Sequence, residues 1–180
     1  MPSQIQAKAP ADPVESKPCS PQHTIEIRSL RPGDDASAFR ALNEEWITHF
    51  FDLEEKDKET LGDPERTILH KGGHILMAYV NGEPVGCVAL VFTGGGVFEL
   101  SKMAVSPLFR GRGIGRRLLE HAIELAGAIG ASCLFLGTSS RLPPAIHLYE
   151  SVGFERVPPE MAPPNAYARA DLFMRLSLSS

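Results

Sequence analysis

The chain has 180 residues, 43% of them hydrophobic, enough for one ordinary domain with a sizeable core and short for two. Its formal net charge of -4 excludes wholesale nucleic-acid binding through a basic surface, so any site for an anionic ligand must be local. Cys19, Cys87 and Cys133 form no CxxC or Cys/His spacing, which argues against a disulfide framework or a zinc site and for a reducing, cytoplasmic compartment. No stretch approaches the roughly 18 apolar residues of a membrane span, and the first residues lack the apolar centre of a signal peptide.

Residues 1–23 carry Pro2, Pro10, Pro13, Pro18 and Pro21 among small and polar residues. Too little apolar surface is present there to offset the entropy of ordering, so a disordered tail is expected, with one domain over residues 24–178. "TIEIRSL" alternates as a strand does. "RPGDDASAFRALNEEWITHFF" predicts a helix, with Asp34 or Asp35 as its cap and Phe39, Leu42, Trp46, Ile47 and Phe50 at helical spacing. Residues 52–62 read as a polar stretch, followed by a short helix opened by Asp63 and Pro64. "HILMAYV" and "EPVGCVALVF" flank Asn81-Gly82, a strong hairpin signal. Gly94, Gly95 and Gly96 make the next turn, and "VFELSKMAV" is a further strand that Pro107 ends. A helix over residues 113–128 should bury Ile114, Leu118, Ala122, Ile123, Ala126 and Ile129. "SCLFLGT" is a buried strand, and "PPAIHLYESVG" a short helix from its prolines to Gly153. "FERV" and "ARADLFMRLSL" are closing strands around the loop "PPEMAPPNAY". The predicted fold class is α/β, a mixed sheet in one domain.

The segment "SPLFRGRGIGRRLLEHAI" concentrates charge and glycine at one bend. Over residues 97–117 the positive groups are Lys102, Arg110, Arg112, Arg116 and Arg117, against the single negative Glu99: five minus one gives +4 inside a -4 chain. A strand, a glycine-rich turn and a helix start make an anion site, because the first N–H groups of a helix have no partner within it and the macrodipole is positive there. Gly111, Gly113 and Gly115 admit a close backbone approach. A Walker loop would place Lys-Ser or Lys-Thr where Arg116-Arg117 stand, and a dinucleotide fold would place its glycines after the first strand. A phosphate-bearing small ligand of another kind fits better.

"RGRGIG" matches the Arg/Gln-x-x-Gly-x-Gly/Ala signature of the GNAT superfamily of acetyl-CoA-dependent N-acetyltransferases, and "PAIHLYESVGF" resembles that superfamily's Ala-x-x-Leu-Tyr-x-x-x-Gly-Phe segment. The resemblance spans residues 24–178. It implies a GNAT-like acyl-CoA N-acyltransferase fold, a central mostly antiparallel sheet flanked by helices. It implies transfer of an acetyl group from acetyl-CoA, as co-substrate and without a metal, to a primary amine of a small molecule by direct attack. Backbone amides of Arg110, Gly111, Arg112, Gly113, Ile114 and Gly115, with the helix start at Arg116, would hold the pyrophosphate. Met103, Ala104 and Val105 would hydrogen-bond the pantetheine arm where two strands splay. Tyr149 would protonate the leaving sulfur, and its alternative is a core aromatic beside Leu148 and Phe154. Leu142 stands where similar sequences often carry a cofactor-contacting Asn.

Glu99 is the candidate base: a carboxylate in an otherwise apolar strand is costly unless paired or used, and the alternative is an ion pair with Lys102 or an arginine. In this fold the acceptor pocket is framed by the first helices, the loop after them and the last strands, which points to Trp46, His49, Phe50, Phe51, Arg141, Tyr167 and Arg169. An arginine among them could take a substrate carboxylate, and the sequence singles none out. Two other functions stand beside the first: a non-catalytic acyl-CoA-binding module and a protein amino-group acetyltransferase. No nucleic-acid or membrane partner is expected, and homodimers are frequent among similar proteins.

Overall fold

The computed structural model describes residues 24–179, and the tail expected over residues 1–23 lies outside the described residues. Strands β1 (Ile25–Ser29), β2 (His74–Val80), β3 (Glu83–Gly94), β4 (Val97–Val105), β5 (Cys133–Thr138), β6 (Glu155–Val157) and β7 (Leu172–Ser177) form one sheet in the order β1-β2-β3-β4-β5-β7-β6. All neighbours are antiparallel except β4 and β5. Helices α1 (Ser37–Phe50), α2 (Glu55–Gly62) and α3 (Pro64–Thr67) lie between β1 and β2, α4 (Ile114–Ala128) follows β4, and α5 (Pro143–Ser151) follows β5. The expected mixed α/β class is the observed one.

The β2–β3 hairpin closes on Asn81 and Gly82, both left-handed at φ 51° and 80°, the conformation a two-residue turn needs to match the twist of its strands. At the start of α1, Asp34 accepts from the Arg31 N–H at 2.8 Å and Asp35 from the Ser37 N–H at 2.9 Å, while the cap position itself is Ala36. The stretch expected to be irregular holds α2. Its capping box is Glu54 with Asp57, and its buried side chains are Leu61 and Asp57, so it shows no apolar stripe to read. Ile129 is 38% exposed instead of buried, because α4 ends at Ala128 and the chain leaves the helical phase before turning at Gly130, φ 79°.

Each face of the sheet carries a core. Under α4 pack Leu90, Leu100, Leu118, Leu134 and their neighbours; under α1 and α2 pack Phe39, Ile47, Leu61, Ile75 and Met77. Helix α4 sits close on β3 because residue 86 is glycine: a Cβ there would stand 2.9 Å from Leu118 Cδ1 and 3.2 Å from the Ala104 carbonyl oxygen.

Two irregularities of β4 create the site. Ser101 pairs with Ala89 and Ala104 with Cys87, so Lys102 and Met103 together face the single residue Val88, a bulge in which Lys102 adopts φ 53°. The extra residue leaves Phe98, Leu100, Met103 and Val105 on the α4 face and turns Lys102 toward α2. In addition, β4 pairs with β5 only over Val97, Phe98 and Glu99; beyond them a cleft lies between the two strands.

Gly86→Ala should lower stability by about 1–3 kcal/mol through overpacking beneath α4, visible as a lower melting temperature. A melting temperature equal to that of the wild type would show that the helix yields freely there.

Candidate active site

A cleft of about 580 Å3 runs from the N-terminus of α4, between β4 and β5, to α1 and the loop between β6 and β7. Its first end is made of main chain. Gly111 and Gly113 take φ 74° and 76°, which side-chain-bearing residues rarely adopt, and open space surrounds both Cα atoms. No side chain caps α4 and its first turn has no acidic residue, so its leading N–H groups are left for an external anion. Arg110 and Arg116 line this end, as do Gly111, Gly113, Ile114 and Gly115. Arg112 instead lies over the Phe109 ring at 5.0 Å and does not line the cleft. Arg116 is anchored by a 2.8 Å hydrogen bond to Ser151 Oγ on α5 and sits 3.7 Å from Glu120.

The middle of the cleft is bounded by Met103, Ala104 and Val105 on one side and by Gly137, Thr138 and Ser139 on the other. Leu142 and Tyr149 close it from α5 and the turn before it. Tyr149 packs at 5.9 Å against Phe154 and also lines the cleft. Burial pushes its phenol up to about 12, which keeps the proton on the oxygen at neutral pH. Cys87, buried beside Asn43, is likewise pushed up to about 12 by burial and is no candidate nucleophile. Asn43 donates to the Phe39 carbonyl at 2.9 Å and to Cys87 Sγ at 3.3 Å, which leaves its Oδ1 buried without a partner in the cleft wall.

The far end is organised by Asp57, a fully buried carboxylate on α2. Its Oδ1 accepts from Lys102 Nζ at 2.5 Å and Arg169 Nη2 at 2.8 Å, and its Oδ2 from Arg169 Nη1 at 2.7 Å and the Glu54 N–H at 3.0 Å. Burial, the largest single influence, pushes the Asp57 carboxyl up; hydrogen bonds from Arg169 and Lys102 and their charges outweigh it and hold the group below its ordinary 3.8. Tyr167 completes the cluster: its hydroxyl lies 2.7 Å from Lys102 Nζ and its ring under the Arg169 guanidinium at 4.2 Å. The Ala168 N–H donates to Glu54 Oε2 at 3.2 Å, and Lys56 Nζ to the Asn165 carbonyl at 3.1 Å, so the β6–β7 loop is strapped to α2.

This cluster bears on the alternative reading of Glu99, an ion pair with Lys102 or an arginine. Lys102 belongs to Asp57, and among the described residues Glu99 takes part in no ion pair while lining the cleft. Of the expected acceptor residues, Trp46, Phe51, Tyr167 and Arg169 line the same end. His49 and Phe50 pack edge to face at 4.6 Å outside it, and Arg141 stacks on Phe51 at 5.1 Å on the rim. Asp57, Lys102 and Asn43 are the residues that the sequence did not reveal as site components. One signal for Lys102 was present: the apolar spacing Phe98, Leu100, Met103, Val105 slips by one residue at the bulge. Asp57 and Asn43 had none.

The family model for the acetyltransferase (GNAT) family matches residues 37–154. An uncharacterised N-acetyltransferase of Schizosaccharomyces pombe is 31% identical over 159 residues, covering 86% of this chain and 96% of the relative. A GNAT-family acetyltransferase structure from Staphylococcus aureus superposes with a TM-score of 0.78 at 20% identity, covering 87% of this chain and all of that one. An acetyltransferase structure from Salmonella typhimurium, solved with its cofactor acetyl-CoA, gives 0.66 at 24% identity over 87% of this chain and 95% of that one.

Asp57→Asn should cost about 3–5 kcal/mol, because Lys102 and Arg169 lose the charge that compensates them in the interior. A carboxyl held below its unfolded value stabilises the fold above that value and loses the contribution as pH falls through the lowered one. The melting temperature of the wild type should therefore drop steeply below pH ~4, whereas that of Asp57→Asn starts lower and falls less. Parallel pH–melting curves for the two proteins would contradict the assignment.

Proposed function

The chain belongs to the GNAT acetyltransferase family and is an acetyl-CoA-dependent acetyltransferase; from that premise we propose that it acetylates the primary amine of a small molecule by direct attack within a ternary complex. The observation that carries this reading is the single cleft joining an uncapped helix N-terminus to Tyr149 and then to Glu99. Acetyl-CoA supplies the activated acetyl group, and the chain fits it: Gly111 and Gly113 present no Cβ atoms and have open space beside them, the α4 amides are open, and the unpaired edges of β4 and β5 face each other across the cleft.

The amides from Arg110 to Gly115, with Arg110 and Arg116 beside them, hold the diphosphate. Backbone groups of Met103, Ala104 and Val105 align the pantetheine arm, and Leu142 gives that arm an apolar contact in place of an amide. Glu99 draws a proton from the incoming amine, directly or through one water, and so provides the neutral nitrogen that attack on a carbonyl needs. As the carbon–nitrogen bond forms and the carbon–sulfur bond breaks, Tyr149 gives its phenolic proton to the departing sulfur, and the acylated nitrogen sheds its surplus proton, which returns through solvent to the Tyr149 oxygen, leaving a neutral amide, a thiol and a restored phenol. A phenol kept protonated by burial suits that donation. A small acceptor is favoured over an extended protein substrate because the β6–β7 loop, strapped to α2 by Glu54, Lys56 and Asp57, walls off the acceptor end.

Incubating the protein with acetyl-CoA and a panel of amines should release free thiol. Tyr149→Phe should lower kcat by about 100- to 10,000-fold while leaving acetyl-CoA affinity unchanged; full turnover would remove Tyr149 from the mechanism. Glu99→Gln should lower kcat and take away the acidic limb of the pH–rate profile. An intact limb would assign the proton to another acceptor.

A further inference from the structure

Seven guanidinium or ammonium groups stand on or near the cleft, and their engagements differ. Arg112 lies over the Phe109 ring, Arg116 is bonded to Ser151, Arg110 leans on the Val105 carbonyl at 3.4 Å, and Arg141 stacks on Phe51 at 5.1 Å. Lys56 lies on the outer side of Tyr167, and the Lys102 side chain is 2% exposed with its charge given to Asp57. Arg169 is different. Its side chain is 12% exposed and lines the acceptor end. Asp57 holds the end of its guanidinium through Nη1 and Nη2, and Glu54 takes a further Nη1 hydrogen at 3.3 Å. That uses three of five donors. The Nε–H and the second Nη2–H, adjacent and parallel, form an edge that no described residue occupies.

Such an edge has the spacing of a carboxylate, to which a guanidinium donates two parallel hydrogen bonds. Preorganisation is built in: Asp57 and Glu54 hold one side, and the Tyr167 ring supports the plane at 4.2 Å. A side chain of many rotamers is thereby fixed before any ligand arrives, which removes much of the ordering cost of recognition. Glu99 lines the same end with no ion pair among the described residues, and both it and Arg169 lie close enough to act on the charge of Lys102. The wall thus offers one free carboxylate and one free guanidinium edge, the complement of an ammonium and a carboxylate on one small body. The facing rings of Trp46 and Phe51 suit the remainder of that body.

Resting on the acetyl-transfer reading above, we propose that the acceptor is an amino acid: Arg169, through its Nε/Nη2 edge, binds the carboxylate of a substrate whose amine is delivered to Glu99. Arg169 is thus the specificity-determining residue of the acceptor end, and Asp57 and Glu54 are positioning residues that act through it.

The test pairs each common α-amino acid with its decarboxylated amine and its carboxamide, for example phenylalanine with phenethylamine and phenylalaninamide, and measures kcat/KM by thiol release. The best amino acid should exceed both of its partners that lack the carboxylate by about tenfold or more, the scale of one charge-assisted contact. Arg169→Lys keeps a cation against Asp57 but loses the planar edge. It should raise KM for the amino acid and pull the ratio toward one, with KM for acetyl-CoA unchanged. Arg141→Ala should leave the ratio as it is. Amines equal to or better than their amino acids overturn the proposal, as does a preference that survives Arg169→Lys or vanishes in Arg141→Ala. Absence of turnover with every amino acid, by protein that calorimetry shows to bind acetyl-CoA, overturns the acceptor class alone. Absence of acetyl-CoA binding overturns the acetyl-transfer reading beneath it as well.

Discussion

A carboxylate without water must find all its partners within the protein, and Asp57 is the place where this chain meets that demand. Four donors reach it from three separate parts of the sequence: the start of α2, the bulge of β4 and the loop before β7. The start of α2 and the loop before β7 carry little apolar surface, whereas β4 is a central strand of the sheet. Satisfying one buried charge fixes all three relative to one another. The acceptor end of the cleft is therefore a consequence of ionic complementarity, whereas the rest of the domain is held by apolar packing on both faces of the sheet.

The two ends of the cleft are built from different materials for a physical reason. A diphosphate is recognised by main-chain amides and by the absence of Cβ atoms, features that glycine and helix geometry provide whatever the neighbouring side chains. The acceptor end is built from side chains, Glu99, Trp46, Phe51, Tyr167 and Arg169, on elements that the fold holds but whose residues are free to vary. Strand β4 links the two. Its bulge sends Met103 and Val105 to the α4 face and Lys102 to the α2 face, so one strand serves the core beneath α4 and the anchor of the acceptor wall together. The left-handed Lys102 is the local distortion this requires, at a residue type that ordinarily avoids it.

Glu99 gains its meaning from the same arrangement. Taken along the sequence, it has a cation three residues away and an easy explanation as a structural ion pair. In space that cation is already committed to a deeper carboxylate. What remains at Glu99 is an acid with no ion pair among the described residues, in the wall of a cleft that Tyr149 also lines.

Periodicity and turn chemistry were enough to read the Asn81-Gly82 hairpin, the amphipathic α4 and the glycine bend, because the forces behind them act between residues close in the chain. The same holds for the anion-binding character of that bend, which follows from helix ends and glycine alone. Helix α2 was illegible, since its inward face carries Asp57 beside Leu61 and an ion replaces the apolar stripe that would have announced it. Ile129 was misplaced because one residue past the end of a helix the period no longer applies. Which arginine has an edge to spare, and whether Glu99 is paired, depended on residues between 45 and 115 positions apart in sequence meeting at one point. The sequence by itself determined the fold class, the family and the glycine bend before α4, through residues close in the chain; only the tertiary structure decided which side chains meet at the far end of the cleft, because a buried charge chooses its partners by proximity in space.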